Sequence, residues 1–184
     1  LLATEDAAVL EREVWALAPA RTAADPASFN LSADKRSTLE FALEHLARFA
    51  PAPQEEIALE PGAPWGRVKV NRDTCTLCMA CVGACPASAL VDGRDAPMLK
   101  FIERNCVQCG MCVSTCPEKA VTLAPRLLLS PRAKAEQVLH EAVPFNCVRC
   151  GKPFGNQQMI DNMLGKLGTH SMFSGGGLAR LQMC

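Results

Sequence analysis

The chain has no tyrosine, and aromatics make up only 5% of its residues. A base-stacking platform for single-stranded nucleic acid needs more rings than that. It also lacks a charge surplus, since 19 Lys and Arg balance 19 Asp and Glu. A nucleic-acid partner, which favours a basic face, is therefore not expected. No stretch approaches the ~20 apolar residues of a membrane span. Leu127–Leu129 is preceded by Arg126 and stopped by Ser130-Pro131. No Gly-rich phosphate loop and no Ser–His–Asp set can be picked out, so nothing marks an enzyme active site. Ser174-Gly-Gly-Gly has no strand and helix around it to act as a nucleotide fingerprint.

Cysteine is what the chain has in excess, with 11 residues. Ten of them fall in three close groups, mostly at two-residue gaps, a spacing that suits a shared metal better than a web of disulfides. Thiolate ligands are safest in a reducing compartment, which points to the cytoplasm. No signal peptide is visible. The start at Leu1 without Met and the end at Cys184 suggest a piece of a longer protein, with further parts of the same chain outside it.

Four segments are expected. Residues 1–50 read as helical, the end of an upstream domain. Val9, Leu10, Val14 and Leu17 hold helical spacing, with Glu5 and Asp6 in the first turn. A second helix should start near Ser37, with Glu40 completing a capping box, and bury Leu39, Ala42, Leu43, Leu46 and Phe49. Residues 51–66, rich in Pro and Gly, read as a linker. Residues 67–124 contain a repeat. Residues 125–184 should open with a helix from Ser130-Pro131 to about His140 and continue into a metal knuckle.

In the repeat, Cys75, Cys78, Cys81 and Cys85 recur as Cys106, Cys109, Cys112 and Cys116 at a constant offset of 31, and Pro86 and Pro117 close the two motifs. Strand signals flank each motif: Val68–Val70 and Ala89–Val91, then Leu99–Ile102 and Ala120–Leu123. Each half thus reads strand, cysteine loop, short helix, strand. Two halves give a small α+β sandwich with pseudo-twofold symmetry.

Three cysteines at two-residue intervals let a short loop wrap one face of a cube-shaped cluster, with backbone N–H groups turned toward its sulfurs. The fourth ligand comes from the other motif in two-cluster proteins. One [4Fe–4S] cluster would then take Cys75, Cys78, Cys81 and Cys116, and a second Cys106, Cys109, Cys112 and Cys85. Leu77, Met79, Val82, Val107, Met111 and Val113 should pack on the clusters and limit solvent. Zinc usually takes two pairs of ligands across a longer gap, which fits this crowding poorly.

The strings CTLCMACVGACP and CVQCGMCVSTCP resemble the bacterial two-[4Fe–4S] ferredoxins, over roughly a third of the chain. The resemblance implies a ferredoxin-like βαββαβ sandwich whose two clusters lie close enough for electrons to hop between them. Asp92–Pro97 differs only in loop detail.

Cys147-x-x-Cys150-Gly-Lys-Pro-Phe resembles half of a zinc ribbon, with Cys184 beginning the other half. A structural zinc is the favoured occupant, with a further cluster or unliganded thiols as alternatives. His170 is a possible substitute ligand, whereas His45 and His140 sit on expected helices without a role. Phe145, Phe154 and Phe173 should form a small core beside the knuckle. Met159, Ile160, Met163, Leu164 and Leu167 mark an amphipathic helix stopped at Gly168. With FNCVRCGKPFG, the whole resembles the C-terminal part of a larger bacterial iron–sulfur protein. That resemblance implies service in oxidoreductase complexes, including formate- or hydrogen-linked ones.

The expected function is electron relay to a redox partner protein or subunit, without catalysis of its own. The alternative is a redox sensor or maturation scaffold. Catalysis at an open metal site around Cys147 and Cys150 ranks last, since no general base lies nearby in the sequence.

Overall fold

A computed structural model describes residues 4–19, 24–173 and 176–184. The chain divides into two compact units, Leu1–Gln54 and Glu55–Cys184.

In the first unit, α1 (Ala7–Trp15) is capped by Asp6, whose carboxylate accepts the Ala8 N–H at 2.9 Å. Asp6 thus precedes the first turn it was expected to join. Helix α2 (Lys35–Phe49) begins two residues before Ser37, because Asp34 is the cap and accepts the Ser37 N–H at 2.7 Å. Glu40 lies inside the helix, beside Arg36 at 3.9 Å, rather than closing a capping box. The described residues between the helices are not helical. Pro19 and Pro26 lack the N–H that helix would need there. Instead the chain folds back on α2: the Phe29 ring lies 6.4 Å from Phe41 and 5.8 Å from His45, and His45 Nε2 donates to Asp25 O at 2.6 Å. Neither helix buries a residue fully.

The second unit runs β1 (Glu56–Ala58), β2 (Gly66–Val70), α3 (Ala80–Gly83), β3 (Leu90–Asp92), β4 (Met98–Phe101), α4 (Met111–Thr115), β5 (Val121–Leu128), β6 (Gln137–Glu141), β7 (Pro144–Asn146), β8 (Pro153–Asn156) and α5 (Gln157–Leu167). From β2 to β5 the order is strand, helix, strand, strand, helix, strand, as the repeat predicts. First and last strands pair, and so do the two middle ones: β2 lies antiparallel to β5 with Val68 opposite Leu123, and β3 to β4 with Leu90 opposite Phe101. Between these hairpins sits the core, where Val68, Leu90, Leu99, Phe101 and Val121 surround Cys75, Cys81, Cys106 and Cys112.

Each hairpin gains a third strand. The segment expected to be a linker supplies β1, with Ile57 opposite Leu127, so β5 continues past Leu123 to Leu128. Arg126 on β5 anchors this side. Its guanidinium donates twice to the Glu103 carboxylate, at 2.7 and 2.6 Å, and once to Glu56 at 2.7 Å. The expected helix over 130–140 does not form. Pro131–Ala133 makes one 3-10 turn and the chain becomes β6, with Leu99 opposite His140. The free edge of β4 decides this. Pairing satisfies its backbone groups, and Lys100 reaches Glu136 at 2.9 Å.

That pairing buries His140, whose Nδ1 finds no partner among the described residues. Burial holds its pKa below the ordinary 6.5, Arg72 adds to the effect and Asp73 opposes it. Below pH ~6.5 the unfolded imidazole takes a proton that the folded one refuses, so stability is full above that pH and falls as pH drops toward the folded value. His140→Phe should flatten this part of the acid slope in thermal unfolding of the anaerobic protein. An unchanged slope would mean that His140 is not the group responsible.

Candidate metal centres

The two cysteine loops share a backbone as well as a spacing. Positive φ recurs at the repeat offset: Leu77 (53°) with Gln108 (54°), Met79 (58°) with Gly110 (80°), and Ser88 (49°) with Lys119 (50°). Non-glycine residues rarely take this conformation, so two matching sets mark one required loop shape. In each loop the N–H two residues on turns back to the first sulfur, Leu77 to Cys75 and Gln108 to Cys106. In each, the N–H four residues past the last cysteine donates to it at 3.3 Å, Ala89 to Cys85 and Ala120 to Cys116.

These loops frame two small cavities, each partly open to solvent. Cys75, Cys78, Cys81 and Cys116 line one, with Leu77 and Leu99; Cys106, Cys109, Cys112 and Cys85 line the other, with Val68 and Leu90. The last cysteine of each motif therefore faces the opposite cavity. Helices α3 and α4 are the means: each carries the third cysteine of its motif and ends just before the fourth.

Burial lifts the Cys81 thiol to about 11, with the neighbouring Cys75 and Cys112 sulfurs adding to it. Burial likewise raises Cys75, Cys106 and Cys112. Four crowded thiols in an apolar cavity keep their protons unless a cation is present, and a metal reverses that preference. Soft sulfur donors, apolar walls and N–H groups aimed at sulfur fit an iron–sulfur cluster.

The expected insulation is uneven. Leu77 is 5% exposed, and Met79 and Val82 pack on the core. Val107, Met111 and Val113 are instead 38%, 49% and 37% exposed. The C-terminal segment accounts for part of the difference. Buried Asn156 caps α5 by accepting the Met159 N–H at 2.9 Å and donates to Thr76 O, inside the first loop, at 3.0 Å. Gln158 donates to Arg72 O at 2.8 Å, and Lys166 reaches Glu118 at 2.6 Å.

The structure also gathers Cys147, Cys150 and Cys184, with all three sulfurs within 4.8 Å of one another. The β7–β8 hairpin holds Cys147, whose N–H donates to Lys152 O at 2.8 Å. Gly151, at φ +73°, makes the turn after Cys150. The N–H groups of Cys184, Cys150 and Arg149 converge on the Cys147 sulfur and draw its pKa down to about 6. Cys184 keeps its proton by donating to the Cys150 and Cys147 sulfurs, whose charge adds to the effect, and its pKa is held up at about 11. Val148 N–H to Gln182 O, at 3.1 Å, ties the chain's last residues to the knuckle. His170 is outside this group, its Nδ1 accepting the Met172 N–H and its ring against Phe173 at 6.3 Å. Of the three expected phenylalanines, Phe145 and Phe154 pair at 5.8 Å. Of the Ser174–Gly177 loop, Ser174 and Gly175 lie outside the described residues.

Sequence reasoning missed two contacts at these sites, Asn156 to Thr76 and the Gln108 side chain, whose Nε2 donates to Cys106 Sγ at 3.2 Å. The second had a visible signal, because Gln108 stands where the other repeat has Leu77.

Every cysteine is a free thiol, and no helix among the described residues is long and apolar enough to cross a membrane. No curated protein matches the chain. A family model described as a 4Fe-4S dicluster domain matches residues 74–121, the stretch that holds both cysteine loops, and supports an iron–sulfur, ferredoxin-like module there.

Proposed function

We propose that the chain relays electrons through two [4Fe–4S] clusters, as a segment of a larger oxidoreductase system. One cluster is held by Cys75, Cys78, Cys81 and Cys116, the other by Cys106, Cys109, Cys112 and Cys85. The observation that carries this reading is the crossing of Cys85 and Cys116 into opposite cavities, which leaves four sulfurs at each. When bound, each cluster supplies a one-electron acceptor and donor. The chain's part is to hold the sulfurs, direct N–H groups at them and exclude water. Eleven cysteines with no disulfide among them suit a reducing compartment, and the reading places the protein in the cytoplasm.

Voltammetry of the anaerobic protein, with EPR after reduction, tests the role. Two one-electron waves, together with steady electron delivery to a soluble acceptor dye, are expected. Clusters that reduce reversibly but pass no current, and whose loss only changes partner binding, would favour the sensor or scaffold.

Cys147, Cys150 and Cys184 offer three thiolates to a zinc ion, which would pin the hairpin and the end of the chain together. Through Asn156, this knuckle braces the first cluster loop. Zinc-edge absorption should report sulfur neighbours at about 2.3 Å, lost in Cys147→Ser. Zinc-free protein with full iron, or a zinc signal without sulfur, would remove zinc from the account.

A further inference from the structure

The two halves repeat in sequence, backbone and N–H···S pattern, so the places where they differ are informative. The sharpest lies beside the first cysteine of each loop. Leu77 and Gln108 occupy equivalent positions with φ of 53° and 54°. Leu77 is buried, and its side chain offers the cavity only hydrocarbon. Gln108 lines the other cavity and places Nε2 3.2 Å from Cys106 Sγ, a donor that the first loop does not have at this position. Gly66 on β2 makes room for it: a Cβ there would stand 2.7 Å from Gln108 Cδ and 2.6 Å from Ala124 O.

We infer that Gln108 sets the two clusters at different potentials, making the Cys106/Cys109/Cys112/Cys85 site the better electron acceptor. The inference rests on the two-cluster reading above. Reduction adds negative charge to a core already held by thiolates, and an N–H aimed at a ligand sulfur stabilises that added charge. Solvent acts in the same direction. Val107 is 38% exposed where its counterpart Thr76 is 8%, and the first loop is further covered by Asn156. Both differences favour the electron at the second site. The first electron to enter the pair therefore comes to rest there, and the first site passes electrons onward to it. Gln108 is a positioning residue for charge and takes no part in a bond-making step.

Gln108→Leu is the matched test, because the other repeat already carries Leu in this backbone conformation. Gln108 Oε1 is buried without a partner among the described residues, so its removal costs the fold little. An EPR-monitored redox titration of the anaerobic protein should show the higher of the two potentials move down and the lower stay in place, with the iron content unchanged. Leu77→Gln offers the opposite arm and should raise the lower potential. A fall in the lower potential on Gln108→Leu, an equal fall in both, or no shift at full iron content would overturn the inference. Protein without iron and sulfide would fail the two-cluster reading instead, so the two failures are distinct.

Discussion

Replacing Cys116 with Ala is expected to empty the cavity formed by the first motif, not the one formed by its own. Cys116 lines the cavity with Cys75, Cys78 and Cys81, although it lies 31 residues after Cys85 at the end of the second motif. Iron should fall from ~8 per chain toward ~4, with half of the EPR intensity lost. Cys78→Ala should remove the same signal. The double variant should lose little more than either single one, because both changes act on one site. Cys85→Ala and Cys109→Ala should form a second such pair, and combining one change from each pair should remove both signals. If Cys116→Ala and Cys112→Ala remove the same signal while the first motif keeps its own, each motif serves one cluster and the crossing is wrong. Because the crossing ties the hairpins, loss of either cluster should also lower the unfolding temperature of both halves together.

Arg126→Ala should be the most damaging change away from cysteine. Glu103 is 4% exposed, and both of its carboxylate oxygens are held by the Arg126 guanidinium. The hydrogen bonds to Glu103 raise the Arg126 pKa, with burial opposing. Removing Arg126 leaves a buried carboxylate uncompensated, at a cost of about 3–5 kcal/mol. The damage should be felt at the second loop, since Cys106 N–H donates to Glu103 O at 3.0 Å. Glu56, half exposed at the other side of Arg126, is a surface partner, and Glu56→Ala should cost no more than ~1 kcal/mol. The double variant Arg126→Leu with Glu103→Leu should recover much of the loss, since no charge is then stranded. Unfolding midpoints of the anaerobic protein check all three. An Arg126→Ala midpoint no lower than that of Glu56→Ala would show that the pair carries no stability.

The cysteine register was legible because ligand geometry forces spacing, and the strands beside it because alternating apolar residues recur around each motif. Cys85 and Cys116 line opposite cavities, as a tight loop that turns its last cysteine away would place them. What could not be read locally depends on distant partners. The run from Ser130-Pro131 to about His140 looks helical by itself, yet the open edge of β4 draws Gln137–Glu141 into a strand. Glu56–Ala58 sits among prolines and glycines and becomes a strand only because β5 extends beside it. Asn156 reads as an ordinary loop residue until α5 brings it to Thr76, 80 positions away. In the knuckle, the Cys-x-x-Cys-Gly string announced the turn and pointed to Cys184 as its partner, and the structure brings the three sulfurs within 4.8 Å of one another. Val107 and Met111 do line the second cavity, but with Val113 they stay more exposed than expected for a related reason: the repeat copies the loop, whereas α5 bonds to one copy.

Iron and acid-labile sulfide, counted per chain in protein purified without air, test the central claim most directly. The account predicts ~8 of each, bound by the eight cysteines of the repeat. Zinc in place of iron, with no inorganic sulfide, would contradict it.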